Sequence, residues 1–477
     1  MNTLSRRTFL SSAVASAGLC GCRSVGRFGE TPQLTFGVIS DIHVTTPDST
    51  RMFRRALRYF RSRGVDAVMV AGDLTDWGLK SGLMYMKDAW DAEMAHSGIT
   101  PLFITGNHDW DGWWYGDMTL DMHVQGYSED EALSGLGMDK CWDEIFNEPF
   151  AEIRKRVVKG YTFISAEWRG REKGDTDATV IKWFEEHKHE LDPTRPFFFF
   201  RHTQLPGTVS SGAGRPGPMA LTEELAKFPN CIAFNGHTHW TFNDERSIWQ
   251  GGFTAVSIPS MSYTSIPTGY ENGSDSRRGD SKLGMPRLPS RDDLKTAQGY
   301  VVSLYPERMA IERYDFEEGK EGAAPWTVPL PASSARPYTF AARAKTTPVP
   351  QFPSGASVRT FTTNADTRNG HWAIFMSLEF PSAHAAGGRV FDYEVKAVGE
   401  DGKVLAVKRF LSPGFYKAEC REPEKQVFRF NAMDLPETGR YRLKVTARNC
   451  FGAESVPIVS RVFESKPGKE KVSKRRT

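Results

Sequence analysis

Short apolar runs alternate with amphipathic stretches in the first part of the chain. The run "LTFGVI" is apolar and rich in β-branched residues, and it ends in the polar residues of "SDIH", a pattern that is typical of a buried strand. In the next stretch, "DSTRMFRRALRYFRSRG", apolar residues recur at helical spacing: Met52, Phe53, Ala56, Leu57 and Phe60. "DAVMVAGD" and "PLFITGNHD" predict two more strands, separated by the helical "LKSGLMYMKDAWDAEMAHSG". This alternation with short links predicts βαβ units in a layered α/β domain.

The strand pattern resumes after an aromatic, polar insertion from Trp110 to about Glu152. "TDATVIKWFEEHKHEL" predicts a helix, and five runs predict strands: "GYTFISAEW", "RPFFFFRHT", "NCIAFNGHTHW", "SIWQGGFTAVSIPSM" and "GYVVSLYPERMAIERYDFE". Residues 266–298 are rich in Gly, Ser, Pro and Arg, and they predict a long loop. We therefore expect the α/β domain to extend over residues 34–335.

The composition of the chain changes after residue 335. Pro-rich and Ala-rich stretches predict a linker over residues 336–352. Period-two alternation on both sides of Asp401-Gly402 predicts a β-hairpin. Leu435, Tyr441 and the following "VTARNCFG" resemble the tyrosine-corner region of fibronectin type III and immunoglobulin-like sandwiches. Residues 353–465 are thus expected to form an all-β, immunoglobulin-like sandwich, followed by a basic tail over residues 466–477.

The first 22 residues have the features of an export signal. Arg6-Arg7 followed by "TFL" resembles a twin-arginine signal, and Leu19, Gly21 and Cys22 resemble a lipoprotein cleavage box. A cleaved signal without lipidation is the alternative. We expect an exported protein, periplasmic or at the cell surface, that touches the membrane only through a lipid anchor at Cys22. Residues 23–33 are expected to be a linker.

Composition narrows the function classes. Among the 477 residues, 39% are hydrophobic and 25% are charged, with a net charge of +3. This small charge gives no electrostatic case for a nucleic-acid partner, and the sequence carries no nucleic-acid-binding motif. The cysteines beyond the signal are too scattered for a CxxC-type zinc site, and Cys420 with Cys450 is the pair that export would favour for a disulfide. The sequence does not indicate an oligomeric state.

Polar residues cluster where the predicted strands end. They are Asp41, His43, Asp73, Asn107, His108, Asp109, His202, His237 and His239. Ligands of open α/β sheets bind beyond the carboxyl ends of the strands, so these residues are expected to converge. Carboxylate, amide oxygen and imidazole suit Mn, Fe or Zn. If the chain stays extended there, Asp41 and His43 point the same way, as do His237 and His239.

The motifs "DIH", "GD", "GNHD", an isolated His after a strand and "GHTH" follow one another over residues 34–320. In this order they resemble the calcineurin-like metallophosphoesterase family. The resemblance implies a two-sheet α/β sandwich flanked by helices. It also implies two divalent cations, one held by Asp41, His43 and His239 and the other by Asn107, His202 and His237. Asp73 would bridge both cations, His108 would face the substrate, and Asp109 would orient His108.

The resemblance further implies a phosphoester hydrolase in which a metal-bridging hydroxide attacks phosphorus, and we expect phosphodiesters to be favoured over monoesters. The purple acid phosphatases carry a Tyr three residues after the bridging Asp, whereas this chain has Asp76, which argues against that subgroup. The alternative function is a cell-surface binding protein that keeps the fold without activity. Trp110, Trp113, Trp114 and Tyr115 are expected either to form a loop core or to line the pocket.

Overall fold

The computed structural model describes residues 30–111, 138–170, 176–209, 217–266, 269–271, 294–332, 334–366, 372–415, 422–431, 435 and 439–465. The predicted export signal and the basic tail lie outside these ranges. Pro32–Thr477 forms one compact unit.

Twelve strands belong to the first two sheets. They are β1 (Leu34–Ile39), β2 (Ala67–Ala71), β3 (Thr100–Ile104), β4 (Ile153–Val158), β5 (Tyr161–Ala166), β6 (Phe197–Arg201), β7 (Cys231–Asn235), β8 (Ile248–Gln250), β9 (Thr254–Ser257), β10 (Gln298–Tyr305), β11 (Arg308–Asp315) and β12 (Lys320–Pro329). The α-helices of the described residues are α1 (Arg51–Ser62), α2 (Lys80–Met94), α3 (Asn107–Asp111), α4 (Met138–Phe146), α5 (Thr176–His187), α6 (Ala220–Leu225) and α7 (Phe340–Thr346).

The strands form two six-stranded sheets that pack face to face. Their orders are β12-β11-β10-β1-β2-β3 and β4-β5-β6-β7-β9-β8. Strands β1, β2 and β3 run parallel, as do β5, β6, β7 and β9. The carboxyl ends of each parallel set therefore lie at one edge of its sheet, where the polar clusters of the sequence follow.

The apolar positions of β1 are divided between two cores, because alternate side chains of a strand face opposite sides of its sheet. Phe36 packs between the sheets against Phe163 and Phe198. Ile39 packs on the outer face with Phe53 and other residues of α1. A third core places α5 and α6 on the outside of the second sheet. The predicted two-sheet α/β sandwich with flanking helices is confirmed.

The remaining strands form antiparallel sheets at the carboxyl-terminal end, as predicted for an all-β region. They are β13 (Arg359–Asp366), β14 (Trp372–Pro381), β15 (Asp392–Gly399), β16 (Val404–Leu411), β17 (Lys425–Asn431), β18 (Gly439–Arg448), β19 (Ile458–Val459) and β20 (Phe463–Ser465). Strands β15 and β16 form the predicted hairpin, with Gly402 at a φ of +81° in its turn. One apolar core joins the two groups of strands, so we refer to them as the C-terminal sandwich.

Two sequence-based expectations concern residues 336–352 and Cys450. The predicted linker over residues 336–352 contains helix α7, whose first turn is capped by the Thr339 side chain accepting from the Ala342 amide. Cys450 is a buried free thiol, whereas its favoured disulfide partner Cys420 lies outside the described residues. Within the described ranges, no helix is both long enough and apolar enough to cross a membrane.

Candidate metal centre

The predicted site residues come together at the carboxyl ends of the parallel strands. Asp41 and His43 follow β1, Asp73 follows β2, and Asn107, His108 and Asp109 open α3 directly after β3. From the second sheet, His202 follows β6, and His237 and His239 follow β7. Apart from the partly exposed His108 and His237, all of them are buried. The two sheets thus supply one shared cluster from positions almost 200 residues apart.

The backbone at the site is left-handed rather than extended. Eight described residues other than glycine have positive φ, and five of them are predicted ligands: Asp41, His43, Asp73, His237 and His239. We expected the two side chains of each Asp-x-His or His-x-His pair to point the same way because the chain would be extended. The chain is not extended there, so this reason is wrong. The pairs converge through tight turns instead. Such conformations cost of order 1–3 kcal/mol each and cluster at functional sites.

One group of ligand atoms consists of Asp41, His43, Asp73 and His239. His239 Nε2 lies 3.2 Å from Asp41 Oδ1 and 3.1 Å from His43 Nε2. His43 Nε2 lies 3.7 Å from Asp73 Oδ2. These four side chains therefore point their donor atoms at a common position.

The other nitrogen of each imidazole shows why a cation fits this group. His43 Nδ1 lies 2.7 Å from the Asp76 carboxylate, and His239 Nδ1 lies 3.0 Å from the carbonyl oxygen of Tyr263. Both oxygens only accept hydrogen bonds, so each Nδ1 carries the proton and each Nε2 presents a lone pair. Two lone pairs that face each other at 3.1 Å beside two carboxylates require positive charge between them. A bound metal ion would supply that charge.

The second group consists of Asp73, His202 and His237, with Asn107 beside it. His202 Nδ1 donates to the carbonyl oxygen of Ala71 at 2.8 Å, so its Nε2 is the ligating nitrogen. That Nε2 lies 2.9 Å from Asn107 Oδ1, 3.2 Å from Asp73 Oδ2 and 3.3 Å from His237 Nδ1. Asp73 belongs to both groups, as the bridging role requires.

Ionisation in the metal-free protein shows the same need for positive charge. Burial alone would lower the pKa of His202, but the adjacent Asp73 carboxylate outweighs burial and raises this pKa to about 9. Burial alone would raise the pKa of Asp73, yet His202, His43 and His108 hold it well below its usual range. A proton therefore occupies the cluster when metal is absent, and metal binding would release it.

Glycines allow the loops to approach the ligands closely. A Cβ atom at Gly236 would lie 2.0 Å from Ser40 Oγ and 2.9 Å from Asp41 Oδ2. A Cβ atom at Gly72 would lie 2.4 Å from His202 Nδ1. Any other residue at either position would displace a predicted ligand or its neighbour.

Asp109 has different partners from those predicted. Its carboxylate accepts hydrogen bonds from the backbone N–H groups of Leu74 (3.1 Å), Thr75 (2.7 Å) and Gly106 (2.7 Å), and from the Thr75 hydroxyl (3.0 Å). These bonds tie the loop after β2 to the loop after β3. Asp109 thus fixes the backbone that carries Asp73 and His108, because a buried carboxylate needs several donors and the backbone amides are nearest. The His108 ring is oriented by another residue.

That residue is Asp76. In the sequence, Asp76 indicated only that the tyrosine of the purple acid phosphatases is missing at this position. Its carbonyl oxygen accepts from His108 Nδ1 at 2.8 Å, and its carboxylate lies 2.7 Å from His43 Nδ1. Carboxylates behind ligating histidines fix the tautomer and raise ligand basicity. The signal was available in "GDLTD", where a carboxylate follows Asp73 by three residues.

The tryptophans after the "GNHD" motif are only partly described. Trp110 is 6% exposed, donates from Nε1 to the Thr105 hydroxyl at 3.1 Å, and packs edge-on against Phe150. Trp110 is therefore a core residue rather than part of a pocket wall. Trp113, Trp114 and Tyr115 lie outside the described residues.

Several solved structures are similar to part of this chain. A predicted phosphoesterase from Streptococcus pneumoniae is 13% identical, with 62% of this chain and 97% of that chain covered, at a TM-score of 0.26. Vacuolar Protein Sorting 29 from Cryptosporidium parvum is 10% identical, with 62% and 97% covered, at a TM-score of 0.28. An archaeal phosphodiesterase is 11% identical, with 62% and 100% covered, at a TM-score of 0.26. Likenesses this low carry no argument about function.

The family comparison is more specific. A search of curated proteins gave no match. The model of the calcineurin-like phosphoesterase family matches residues 34–241. This span includes both ligand groups and every residue predicted for the site. Residues 34–241 therefore match the calcineurin-like phosphoesterase family, and this matched span lies within the two-sheet α/β domain that precedes the C-terminal sandwich in the chain.

Proposed function

We propose that this protein hydrolyses phosphoester bonds with the help of two divalent cations, and that it favours diesters over monoesters. The observation that carries the proposal is the convergence of two buried ligand groups on one carboxylate, that of Asp73. Two metal ions that share a ligand are a recurring arrangement in phosphatases and nucleases.

The residues of the site suit this chemistry. Asp41, His43 and His239 would hold one cation and Asn107, His202 and His237 the other, with Asp73 shared. When bound, two divalent cations supply an activated water nucleophile and positive charge for the phosphoryl oxygens. The donors are oxygen and imidazole nitrogen, which suits Mn, Fe or Zn.

His108 is the residue that we assign to the substrate. Its backbone N–H donates to Asp73 Oδ1 at 2.9 Å, and its Nδ1 donates to the Asp76 carbonyl at 2.8 Å, so the ring is held beside the metal ligands. The proton on Nδ1 assigns Nε2 to the phosphoryl group. A protonated His108 would stabilise a phosphoryl oxygen and pass its Nε2 proton to the leaving oxygen.

The test is hydrolysis of an aryl phosphodiester and an aryl phosphomonoester by the Mn²⁺-loaded protein. We expect turnover of both with the diester faster, and loss of turnover with chelator, in Asp73→Asn and in His108→Ala. His189→Ala is the matched control and should keep full activity, because His189 is an exposed histidine that lies just after α5.

The alternative, a binding protein without activity, makes the opposite prediction. Metal-loaded protein that hydrolyses neither compound, nor any of a broad panel of nucleotides, cyclic nucleotides, phospholipid head groups and sugar phosphates, would overturn the enzyme proposal. A monoester that reacts faster than the diester would overturn the substrate preference alone.

We also propose that the protein is exported and lipid-anchored at Cys22. The support is the spacing of Arg6, Arg7, Leu19, Gly21 and Cys22 in the sequence. Mass spectrometry of the mature amino terminus should find a lipidated Cys22. An unmodified chain that begins elsewhere would contradict lipidation, and export that persists with Lys at positions 6 and 7 would contradict the twin-arginine route.

A further inference from the structure

The C-terminal sandwich contacts the phosphoesterase domain immediately beside a predicted metal ligand. Trp240, which follows His239 in the chain, is buried in a small apolar cluster of its own. From the part of the chain that forms the two six-stranded sheets this cluster takes Trp240, Ile266 and Leu294, and from the sandwich it takes Phe391, Leu411, Phe415 and Cys450. We call it the Trp240 cluster.

Trp240 is fixed from two sides. Its ring centroid lies 5.9 Å from that of Phe415, which in turn packs edge-on against Phe391 at 4.9 Å. Its Nε1 donates to Asp244 Oδ2 at 2.8 Å, and Asp244 pairs with Arg246. The Arg246 guanidinium lies over the Phe391 ring at 4.6 Å. The sandwich thus restrains the tryptophan ring both directly and through this polar bridge.

The backbone around His239 is held by a second group of residues, 263–266 and 269–271. The Tyr263 carbonyl accepts from His239 Nδ1 at 3.0 Å, and the Tyr263 ring lies against the His239 ring at 4.1 Å. The Ser265 amide donates to the His239 carbonyl at 2.9 Å. Three contacts from one short segment therefore set the position of this imidazole.

This second group of residues is also tied to the sandwich. The Tyr270 hydroxyl donates to Asp392 Oδ2 at 3.0 Å, and the Glu271 amide donates to the Arg409 carbonyl at 2.8 Å. The Glu271 carboxylate pairs with Lys408 at 3.0 Å. Both connections of His239, through Trp240 and through residues 263–266 and 269–271, therefore lead to β15, β16 and the residues that flank these two strands of the sandwich.

His239 needs this restraint, because its backbone φ is +51°. A left-handed residue other than glycine is strained, and the strain persists only where surrounding packing holds it. The second ligand group is held differently, since His202 Nδ1 bonds the Ala71 carbonyl at the end of β2, inside the phosphoesterase sheets. The two groups thus differ in their dependence on the sandwich.

We infer that the C-terminal sandwich helps to position a ligand of the metal centre. Phe415 is a positioning residue that acts through Trp240 on His239. The affinity for the cation held by Asp41, His43 and His239 then depends on the sandwich, and the affinity for the other cation depends on it less. This inference rests on the proposed metal centre but not on hydrolysis.

The experiment measures Mn²⁺ binding by calorimetry in the full-length protein, with Phe415→Ala and Phe415→Leu as the test variants. Residues that support a metal ligand from behind typically contribute ten- to hundredfold in affinity. We expect Phe415→Ala to weaken one of the two binding steps about tenfold and to leave the other unchanged. Phe415→Leu keeps an apolar side chain but loses the ring contact with Trp240, so it should weaken the same binding step measurably but less than Phe415→Ala does. This smaller loss carries the test if the alanine variant fails to fold.

Phe380→Ala is the matched control, because Phe380 is a buried phenylalanine in the interior core of the same sandwich. It should lower stability while both binding steps stay as in the wild type. Two unchanged binding steps in both Phe415 variants, or equal losses in Phe415→Ala and Phe380→Ala, would overturn the inference. Wild-type protein that binds no metal would overturn the metal centre and the inference together. Wild-type protein that binds two cations but hydrolyses nothing would overturn only the proposed function.

Discussion

Replacing Gly106 by alanine tests the role of the shared carboxylate without removing any ligand. Gly106 connects β3 to α3 and lies against Asp73. A Cβ atom there would lie 2.2 Å from Asp73 Oδ1 and 2.4 Å from the Asp73 amide nitrogen. Since non-bonded atoms of this kind need more than 3 Å, the added methyl group must push Asp73 or the Gly106 loop aside by roughly an ångström.

Two separate losses follow. Overpacking of a buried site costs about 1–3 kcal/mol of stability in the metal-free protein. A displaced Asp73 also weakens metal binding. We take a hundredfold loss of affinity, the upper end of the usual ten- to hundredfold range, because both ligand groups share this residue. At a Mn²⁺ concentration one hundred times the wild-type Kd, metal stabilises the wild type by about 2.7 kcal/mol. A hundredfold weaker Kd leaves only about 0.4 kcal/mol of that gain.

The assay is urea unfolding with chelator and again with Mn²⁺ at that fixed concentration. Gly64→Ala is the control, because Gly64 has a φ of +64° and a Cβ atom there would meet no described atom within 4 Å. Gly64→Ala should lower the free energy of unfolding by about 1 kcal/mol through backbone strain. It should keep the full increase in that free energy on addition of Mn²⁺. If Gly106→Ala also keeps a gain near 2.7 kcal/mol, the role of Asp73 as shared ligand is refuted.

Three further predictions concern other parts of the molecule. Asp76→Ala should weaken Mn²⁺ binding about ten- to hundredfold, because His43 loses its orienting carboxylate, and unchanged binding in calorimetry would contradict this role. Burial raises the pKa of Glu422 to about 7. The folded protein is therefore stabilised by the neutral carboxyl below about pH 4.5, and this stabilisation is lost as the pH rises through 7. Between pH 4.5 and pH 8, the free energy of unfolding of Glu422→Gln should increase relative to that of the wild type by up to about 3 kcal/mol. Urea unfolding of both proteins at the two pH values measures this change. If the stability difference between Glu422→Gln and the wild type is the same at pH 4.5 and pH 8, the raised pKa of Glu422 is wrong. Phe36→Ala should destabilise the metal-free protein by about 3–5 kcal/mol, because Phe36 is fully buried between the sheets, and a loss under 1 kcal/mol would show that the sheets repack.

Much of the molecule follows from local sequence. The strands β1, β2 and β3 are apolar runs followed by polar residues, so where each strand lies and where it ends are decided within ten residues. The hairpin around Gly402 is equally local, because period-two alternation and an Asp-Gly turn suffice to define it. The set of residues that meet at the strand ends was predictable too, since parallel strands bring their carboxyl ends to one edge.

Other features were decided by tertiary structure. The conformation of Asp41 and His43 is left-handed because the loops after β1 and β2 pair with each other, with the His43 amide donating to the Asp73 carbonyl at 3.1 Å. The partners of Asp109 depend on which amides the neighbouring loop presents. Helix α7 forms in a stretch whose composition predicts a linker.

The placement of the C-terminal sandwich is the clearest case. Its hairpin is readable from alternation, but its contact with Trp240 depends on side chains more than 150 positions apart in the chain. Sequence alone therefore determined which elements form and which residues carry the chemistry, because those depend on short-range pattern and on the edge of a parallel sheet. Tertiary structure decided how each ligand is held, because that depends on hydrogen bonds and packing between segments whose separation in the chain carries no local signal.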